Sequence, residues 1–470
     1  MASKLQRIRL HPWYSVSIVA WTAFCHPGMF GALNGLGAGG EETPELSNAV
    51  NAVTFGAMTV GGFFTGLICN KIGIRWTLII GTLGYAPYAA ALYTNAAFGN
   101  TWFPILGGLL CGISAVFLWT ASGAINLVVP PVDQRGRAVA TKFTLQNIGS
   151  LIGGLVSLGL NVKKARSGRV SDATYFVFTS IMCLGLPAAA TIPLPGQVIR
   201  KDGSRVVAHR FQSWGEELKG LKRVMSLKSF VLLLPFLVYW QWDLSYMFNW
   251  NAVYHSVRAR ALLSVLFYLV GPTLIGQIQG YLLDKKEWSR RSRGRWATAS
   301  FSLLTLLTWT YGLVVQYLYN KSSAAETIDI KDPIFAMSCV LFILYGLIEN
   351  SAMVVGYWII GSLGLDPGSV ASFVGLATGI GSAGSTAAFI LGACNVPLTW
   401  QLWANVIAFL ASLPGLLYVG FYLVTEDDII ATATSYQDNG SGHVGSDQSQ
   451  LEIEAGVAEN VKTLEEGFKR

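Results

Sequence analysis

Twelve apolar runs, each near the ~20 residues that a bilayer-crossing helix needs, dominate this chain. They fall at about 13–33, 48–69, 76–93, 102–128, 138–160, 174–194, 230–250, 261–283, 296–319, 334–357, 370–391 and 398–424. Charged residues make up 13% of the sequence and hydrophobic ones 52%, where soluble domains carry roughly 25% charge. Most of that charge sits in short segments between the runs. The fold expected is an all-α polytopic membrane protein with twelve transmembrane helices, and the lipid bilayer is its first partner. The net charge of +7 comes from membrane-flanking loops, so it does not imply nucleic-acid binding. Runs two and three are joined by a turn so short that their helices must lie antiparallel and packed together.

That turn, Gly66–Arg75, reads GLICNKIGIR, and a related stretch, Gly280–Arg291, reads GYLLDKKEWSRR after a later apolar run. The pattern resembles the loop between the second and third helices of the major facilitator superfamily. There an acid usually stands at the place of Asn70 and a second base at the place of Ile74. The later copy keeps its acid as Asp284. Two copies imply two pseudo-symmetric six-helix halves. The expected organisation is an N-terminal bundle (1–194), a central loop (195–229), a C-terminal bundle (230–424) and an acidic, disordered tail (425–470). Within both turns Gly66, Asn70, Lys71, Gly73 and Arg75, and Gly280, Asp284 and Lys285, are expected to act as gate motifs. With Asn in place of the acid, the first latch is expected to be the weaker.

Orientation follows from the bias of Lys and Arg towards cytosolic loops. With the N-terminus inside, 25 of the 33 basic residues fall in segments assigned to the cytosol and 8 outside. Both termini are therefore expected in the cytosol. Lys163, Lys164, Arg166 and Arg169 dissent. In the central loop Trp214, Leu218, Leu221 and Met225 recur at helical spacing beside Lys219, Lys222 and Arg223. That predicts an amphipathic helix suited to the inner membrane surface, or a solvated linker helix. Asn320 and Asn439 begin Asn-x-Ser sequons; Asn320, in an outer loop, is the possible glycosylation site. The six cysteines show no metal-site or disulfide spacing. No nucleotide loop, catalytic triad or metal-ligand spacing occurs, so neither enzymatic activity nor a cofactor is expected. His11, His209, His255 and His443 read as isolated loop or terminal residues.

Three further stretches narrow the resemblance: CHPGMFGALNGLGAGG (Cys25–Gly40), LWTASGAI with DQRGRAVATKFTLQNIGSLIGG (Leu118–Ile125 and Asp133–Gly154), and YGLIENSAMVVGYWIIGSL (Tyr345–Leu363). Together with NWNAVYHSVRARALLSVLFYLVG (Asn249–Gly271) they look like the uncoordinated-93-like family, the ion-channel-regulator branch of the superfamily, fungal type. The family commonly carries Asp at the position of Glu349 and Gln at that of Met353. The resemblance implies two six-helix bundles around a central cavity lined by spans one, four, seven and ten.

An ionisable group inside a bilayer costs at least a few kcal/mol and asks for a reason. Away from the helix ends three stand out: His26 in span one, Asp243 in span seven and Glu349 in span ten. Counting residues along each span puts His26 near mid-membrane, Glu349 towards the inner side and Asp243 nearer the outer surface. The expectation is that His26 and Glu349 trade a proton across the cavity. Trp119, Ser122 and Asn126 share one face of span four and form a candidate substrate wall, with small-residue helix packing as the plainer account. Aromatics around Asp243 (Trp240, Trp242, Tyr246, Trp250) read as interface anchors. Glycines of span two (Gly56, Gly61, Gly62, Gly66) and span eleven (Gly375, Gly379, Gly381, Gly384) suit helices that approach closely and slide. The function expected is transport of a small molecule or ion by alternating access, possibly proton-coupled. The alternative is a non-transporting chaperone or regulator of a membrane-protein partner.

Overall fold

In a bilayer every backbone N–H and C=O must be satisfied within the protein, which leaves helices as the default for apolar runs. A computed structural model of the protein describes residues 4–35, 44–161, 172–200, 203–206, 209–321 and 328–425. The dissenting basic loop at 163–169, the Asn439 sequon and the tail from 426 onward lie outside the described residues. Among those described, nine helices are long and apolar enough to cross a membrane: Pro12–Asn34, Leu46–Ile72, Trp102–Val128, Asp172–Ala190, Arg258–Leu283, Arg290–Lys321, Phe335–Gly361, Pro367–Ala393 and Leu398–Leu423. They are spans one, two, four, six and eight to twelve. Span five is the helix Arg135–Asn161, which carries Arg135, Arg137 and Lys142 at its start and Gln146 and Asn147 further along. Spans three and seven are helical but broken, as Ile74–Ile80 with Tyr85–Phe98 and Lys228–Tyr239 with Asp243–Tyr254.

The breaks are where the fold is most exacting, because each frees backbone groups that water cannot reach. At the break in span three, Ser114 of span four donates to the Gly81 carbonyl (2.8 Å), and its hydroxyl oxygen accepts from the Gly84 N–H (2.9 Å). At the break in span seven, Ser385 of span eleven donates to the Gln241 carbonyl at 2.8 Å. Four residues after Gln241, Ser245 donates back to the Ala388 carbonyl at 3.0 Å. A single serine on the neighbouring helix thus repairs each interruption. Span one is kinked rather than broken: Pro27 lies in a widened turn, Phe24–Gly28, where the missing proline N–H is accommodated by one extra residue.

The halves meet backbone to backbone. A methyl group on Gly62 would stand 2.3 Å from Cα of Gly379, and one on Gly66 would stand 2.6 Å from Cα of Ser372. Spans two and eleven therefore cross at a distance open only to glycine. Gly375 and Gly379 serve the same crossing from the other side, whereas Gly61 packs on Val116, Gly381 on Trp240 and Gly384 on the Val238 carbonyl. Gly56 faces open space. Spans five and eight approach in the same way, with Gly280 against Ala140 and Gly136 against the Gly280 carbonyl. With two such crossings the six-span halves pack as one body.

Two substitutions in one helix separate close approach from mere flexibility. Gly62→Val forces the crossing apart and lowers the melting temperature of the purified protein by the equivalent of ~1–3 kcal/mol or more. Gly56→Ala, with nothing within 4 Å of the new methyl, leaves it unchanged or raises it by up to ~1 kcal/mol. Thermal unfolding in detergent reads both.

Candidate functional site

A cavity lies between the halves, with about 110 Å³ available to the centre of a water molecule. Spans one, two, three, four, five, seven, eight, ten and eleven contribute to its wall. Aromatic faces dominate, among them Phe30, Tyr85, Trp119, Phe248, Tyr268 and Phe389. The polar groups are mostly neutral: Asn34, Asn51, Gln146, Asn147, Ser150 and Gln241, with Glu349 as the one carboxylic acid and no Lys or Arg among the described lining residues.

Glu349 does not stand alone. Its carboxyl group lies within hydrogen-bonding reach of that of Asp243, which opens the second half of span seven directly after the break. Asp243 also accepts from the Leu244 N–H. One oxygen on each residue, Asp243 Oδ1 and Glu349 Oε2, has no hydrogen-bond partner. The sequence placed these acids at different depths; the structure places both near the middle of their spans, because span seven runs on to Tyr254 and span ten to Gly361. A discontinuous helix with a charged or polar group at the break is how transporters commonly build a mid-membrane site.

His26 is elsewhere. It sits in the widened turn of span one, fully buried, with Nδ1 donating to the Thr22 carbonyl at 2.8 Å. Its ring stacks obliquely on Tyr85, centroids 5.2 Å apart, and fills the space that Gly185 of span six leaves open. It does not line the cavity, so the expected exchange with Glu349 has no direct geometry here. Of the span-four face only Trp119 reaches the cavity. Ser122 bonds the carbonyl of Trp119 on its own helix at 3.1 Å, and the Asn126 amide is buried with neither atom hydrogen-bonded. Met353, where the family resemblance implies a polar ligand, lies on the wall. Trp240, Tyr246 and Trp250 are buried rather than anchored at an interface; Trp240 stacks on Tyr357 at 5.5 Å.

Lys142 is a fourth buried ionisable group, and by sequence it reads as a helix-end residue near the start of run five, at about 138–160. The helix in fact begins at Arg135, which carries Lys142 two turns inwards and buries it completely. Its ammonium nitrogen lies 3.7 Å from the ring centre of Trp119, 4.0 Å from that of Phe143 and 5.6 Å from that of Tyr357, with no hydrogen-bond partner. Ring faces attract a cation there. Ionisable residues are thus not confined to spans one, four, seven and ten. The signal was the polar run TKFTLQN, which also supplies Gln146 and Asn147 to the wall. His255 does sit in the short connection between Tyr254 and Val257 but is not isolated: it is buried, bonded to Ser338 at 2.9 Å and packed on Trp250.

At the end of the bundle that bears the two repeated turns, basic side chains cap helix ends, where unpaired carbonyls and the helix dipole favour them. Arg75 donates to the Ala190 carbonyl (2.6 Å), Arg135 to that of Gly361 (3.0 Å) and Arg293 to that of Leu283 (2.7 Å). Gly73 turns the chain with φ 84°, and Lys71 lies over the Trp214 ring at 4.4 Å. In the second turn Asp284 accepts from the N–H groups of Gly136 and Arg137, each at 2.8 Å, and from Arg137 Nε at 3.2 Å. It therefore caps span five from the opposite half. Burial pushes the Asp284 carboxyl above its ordinary range, and the N–H donors pull against that. Lys285 lies over Trp288 at 5.3 Å. Asn70 donates to Glu217 of the central helix (2.8 Å) and to the Gly368 carbonyl (3.3 Å). Glu217 in turn pairs with His209, so His209 is not isolated. Asn320 is exposed, with its amide nitrogen donating to Thr399 at 3.1 Å.

The family model of the Major Facilitator Superfamily matches residues 16–322. An UNC93-like protein 1 of Arabidopsis thaliana is 32% identical over 423 residues, covering 89% of this chain and 92% of its own. The chain belongs to the UNC93-like proteins of the major facilitator superfamily. An UNC93-like protein of Schizosaccharomyces pombe is also 32% identical, over 387 residues, 81% of this chain and 76% of its own. Among solved structures, the proton:xylose symporter XylE superposes with a TM-score of 0.63 at 12% identity, covering 90% of this chain and 99% of that one. FucP in its outward conformation superposes with 0.61 at 11% identity, covering 86% and 98%. These likenesses fix the fold as a superfamily helical bundle. In this UNC93-like chain the buried Asp284 cap and the surface pair Lys286–Asp133 (2.8 Å) both bridge the halves but differ in weight. Asp284→Ala leaves buried N–H groups unpaired and costs ~1–3 kcal/mol; Lys286→Ala costs ~0–1 kcal/mol. Equilibrium unfolding of the two variants checks the difference.

Proposed function

We propose that this UNC93-like protein moves a small organic solute by alternating access and that the Asp243–Glu349 pair couples the movement to protons. One observation carries the reading: two buried carboxyl groups stand within hydrogen-bonding reach of each other at the break of span seven, one of them opening onto the central cavity, so placed that they can share a proton. Such a pair holds a proton while the cavity faces one side and releases it when hydration or a cationic solute on the other side stabilises the second charge. The wall favours a neutral or cationic solute. Aromatic faces and carboxamides bind either, Glu349 attracts a cation, and Lys142 is held behind the Trp119 ring. The gate helices are spans two and eleven, whose glycine crossing permits sliding without loss of packed side chains. The basic residues gathered at the turn-bearing end support placing that end, and both termini, in the cytosol.

Accumulation of metabolites and ions in vesicles with and without the protein tests this reading. A solute shifted by the wild type and by Lys286→Ala, but returned to control level by Glu349→Gln and by Asp243→Asn, is the expected result. No shift despite correct membrane insertion overturns it in favour of a non-transporting regulator of another membrane protein.

A further inference from the structure

The two repeated turns have the same register against their partner helices. In the second half Gly280 meets Ala140, and four residues on Asp284 meets Gly136, at the start of span five. In the first half Gly66 meets Ser372, and four residues on Asn70 meets Gly368, at the start of span eleven. The geometry is shared but the chemistry is not. Asp284 reaches across the halves to accept N–H groups. In span eleven the equivalent N–H groups, of Gly368 and Ser369, are taken by its own cap, Asp366, at 3.0 and 3.1 Å. Asn70 is left as a donor, with the Gly368 carbonyl as a long acceptor at 3.3 Å.

We infer that Glu217, carried by the central-loop helix Trp214–Ser226, supplies the latch carboxylate that Asn70 lacks, making the central loop a working part of the gate. Glu217 is buried on a helix most of whose residues are exposed. One of its oxygens accepts from Asn70 Nδ2 at 2.8 Å and the other lies 2.6 Å from His209 Nε2. The His209 ring packs on Gly368, where a methyl group would stand 2.4 Å from Nδ1. Trp214, at the start of the same helix, receives the Lys71 ammonium on its ring. Glu217, His209 and Trp214 thus tie the central loop to span two and to the first turn of span eleven together. In the second half the latch acid belongs to the moving helices themselves; in the first half it is on loan from a segment that must lift before spans two and eleven part. Glu217 acts through Asn70 and touches no cavity residue, so it is a positioning residue for the gate.

The inference rests on the alternating-access reading, but its test requires no substrate. Cys69, next to Asn70, is buried against Ala124 and Ala371 beneath the latch. Its labelling rate by a maleimide, read peptide by peptide by mass spectrometry on the full-length protein in membranes, reports opening at this point. Cys25, buried in span one and absent from the cavity wall, controls for unfolding. Glu217→Gln is expected to raise Cys69 labelling about tenfold, the population shift that loss of one charge-assisted hydrogen bond brings, with Cys25 unchanged. Asn70→Asp alone sets two carboxylates against each other and raises it as well. The double variant Asn70→Asp/Glu217→Gln restores the acid–amide pair in reverse and returns the rate towards wild type. Wild-type labelling of Glu217→Gln overturns the inference. So does a double variant no slower than Glu217→Gln, including the case in which Cys25 labels too.

Discussion

Everything in this fold follows from the need to satisfy backbone groups where no water reaches. An unbroken helix does so by itself, and most spans of this protein are unbroken. Spans three and seven are not, and each depends on one serine from a neighbouring helix: Ser114 at Gly81–Gly84 and Ser385 at Gln241. The second of these matters most. By holding the carbonyl at the break, Ser385 lets span seven restart at Asp243, and the restart puts a carboxyl group at mid-span, in reach of Glu349. The cavity, its acid pair and the bond from span eleven to span seven are therefore one construction.

Span eleven is the hub of that construction. Its glycines let it lie against span two, its Ser385 repairs span seven, and its first turn is where Asn70, His209 and Asp366 converge. A shift of span eleven along span two would be felt at the acid pair and at the latch together. This gives a physical route between the proposed proton-holding pair and the proposed gate: a packed helix with contacts at both, rather than a chain of charges. Asp284 holds the opposite crossing, spans five and eight, by capping a helix in the other half.

Much of this was legible in the sequence. Apolar length gave the spans, the repeated GxxxN and GxxxD turns gave two halves, and the family resemblance gave the fold. Asp243 and Glu349 stood out because a carboxyl group within an apolar run is costly without a purpose. What stayed hidden depended on where helices stop. Counting from assumed span ends put the two acids at different depths, and left Lys142 close to the end of its run when the helix begins seven residues earlier, at Arg135. His26 looked like a cavity residue because its span lines the cavity, but the turn at Pro27 directs it towards Gly185. Glu217 had no signal of its own, since a glutamate on an amphipathic helix reads as solvated. Only the register match between the two turns shows what it replaces.

The central claim is that Asp243 and Glu349 share a proton. Infrared difference spectroscopy of the purified protein reads it most directly, through the carbonyl stretch of a protonated carboxyl group at neutral pH and its shift in deuterated water. The account predicts such a band in the wild type, lost in Glu349→Gln and in Asp243→Asn and retained in Glu217→Gln. A wild-type spectrum without it, or a band unmoved by either substitution, would contradict the account.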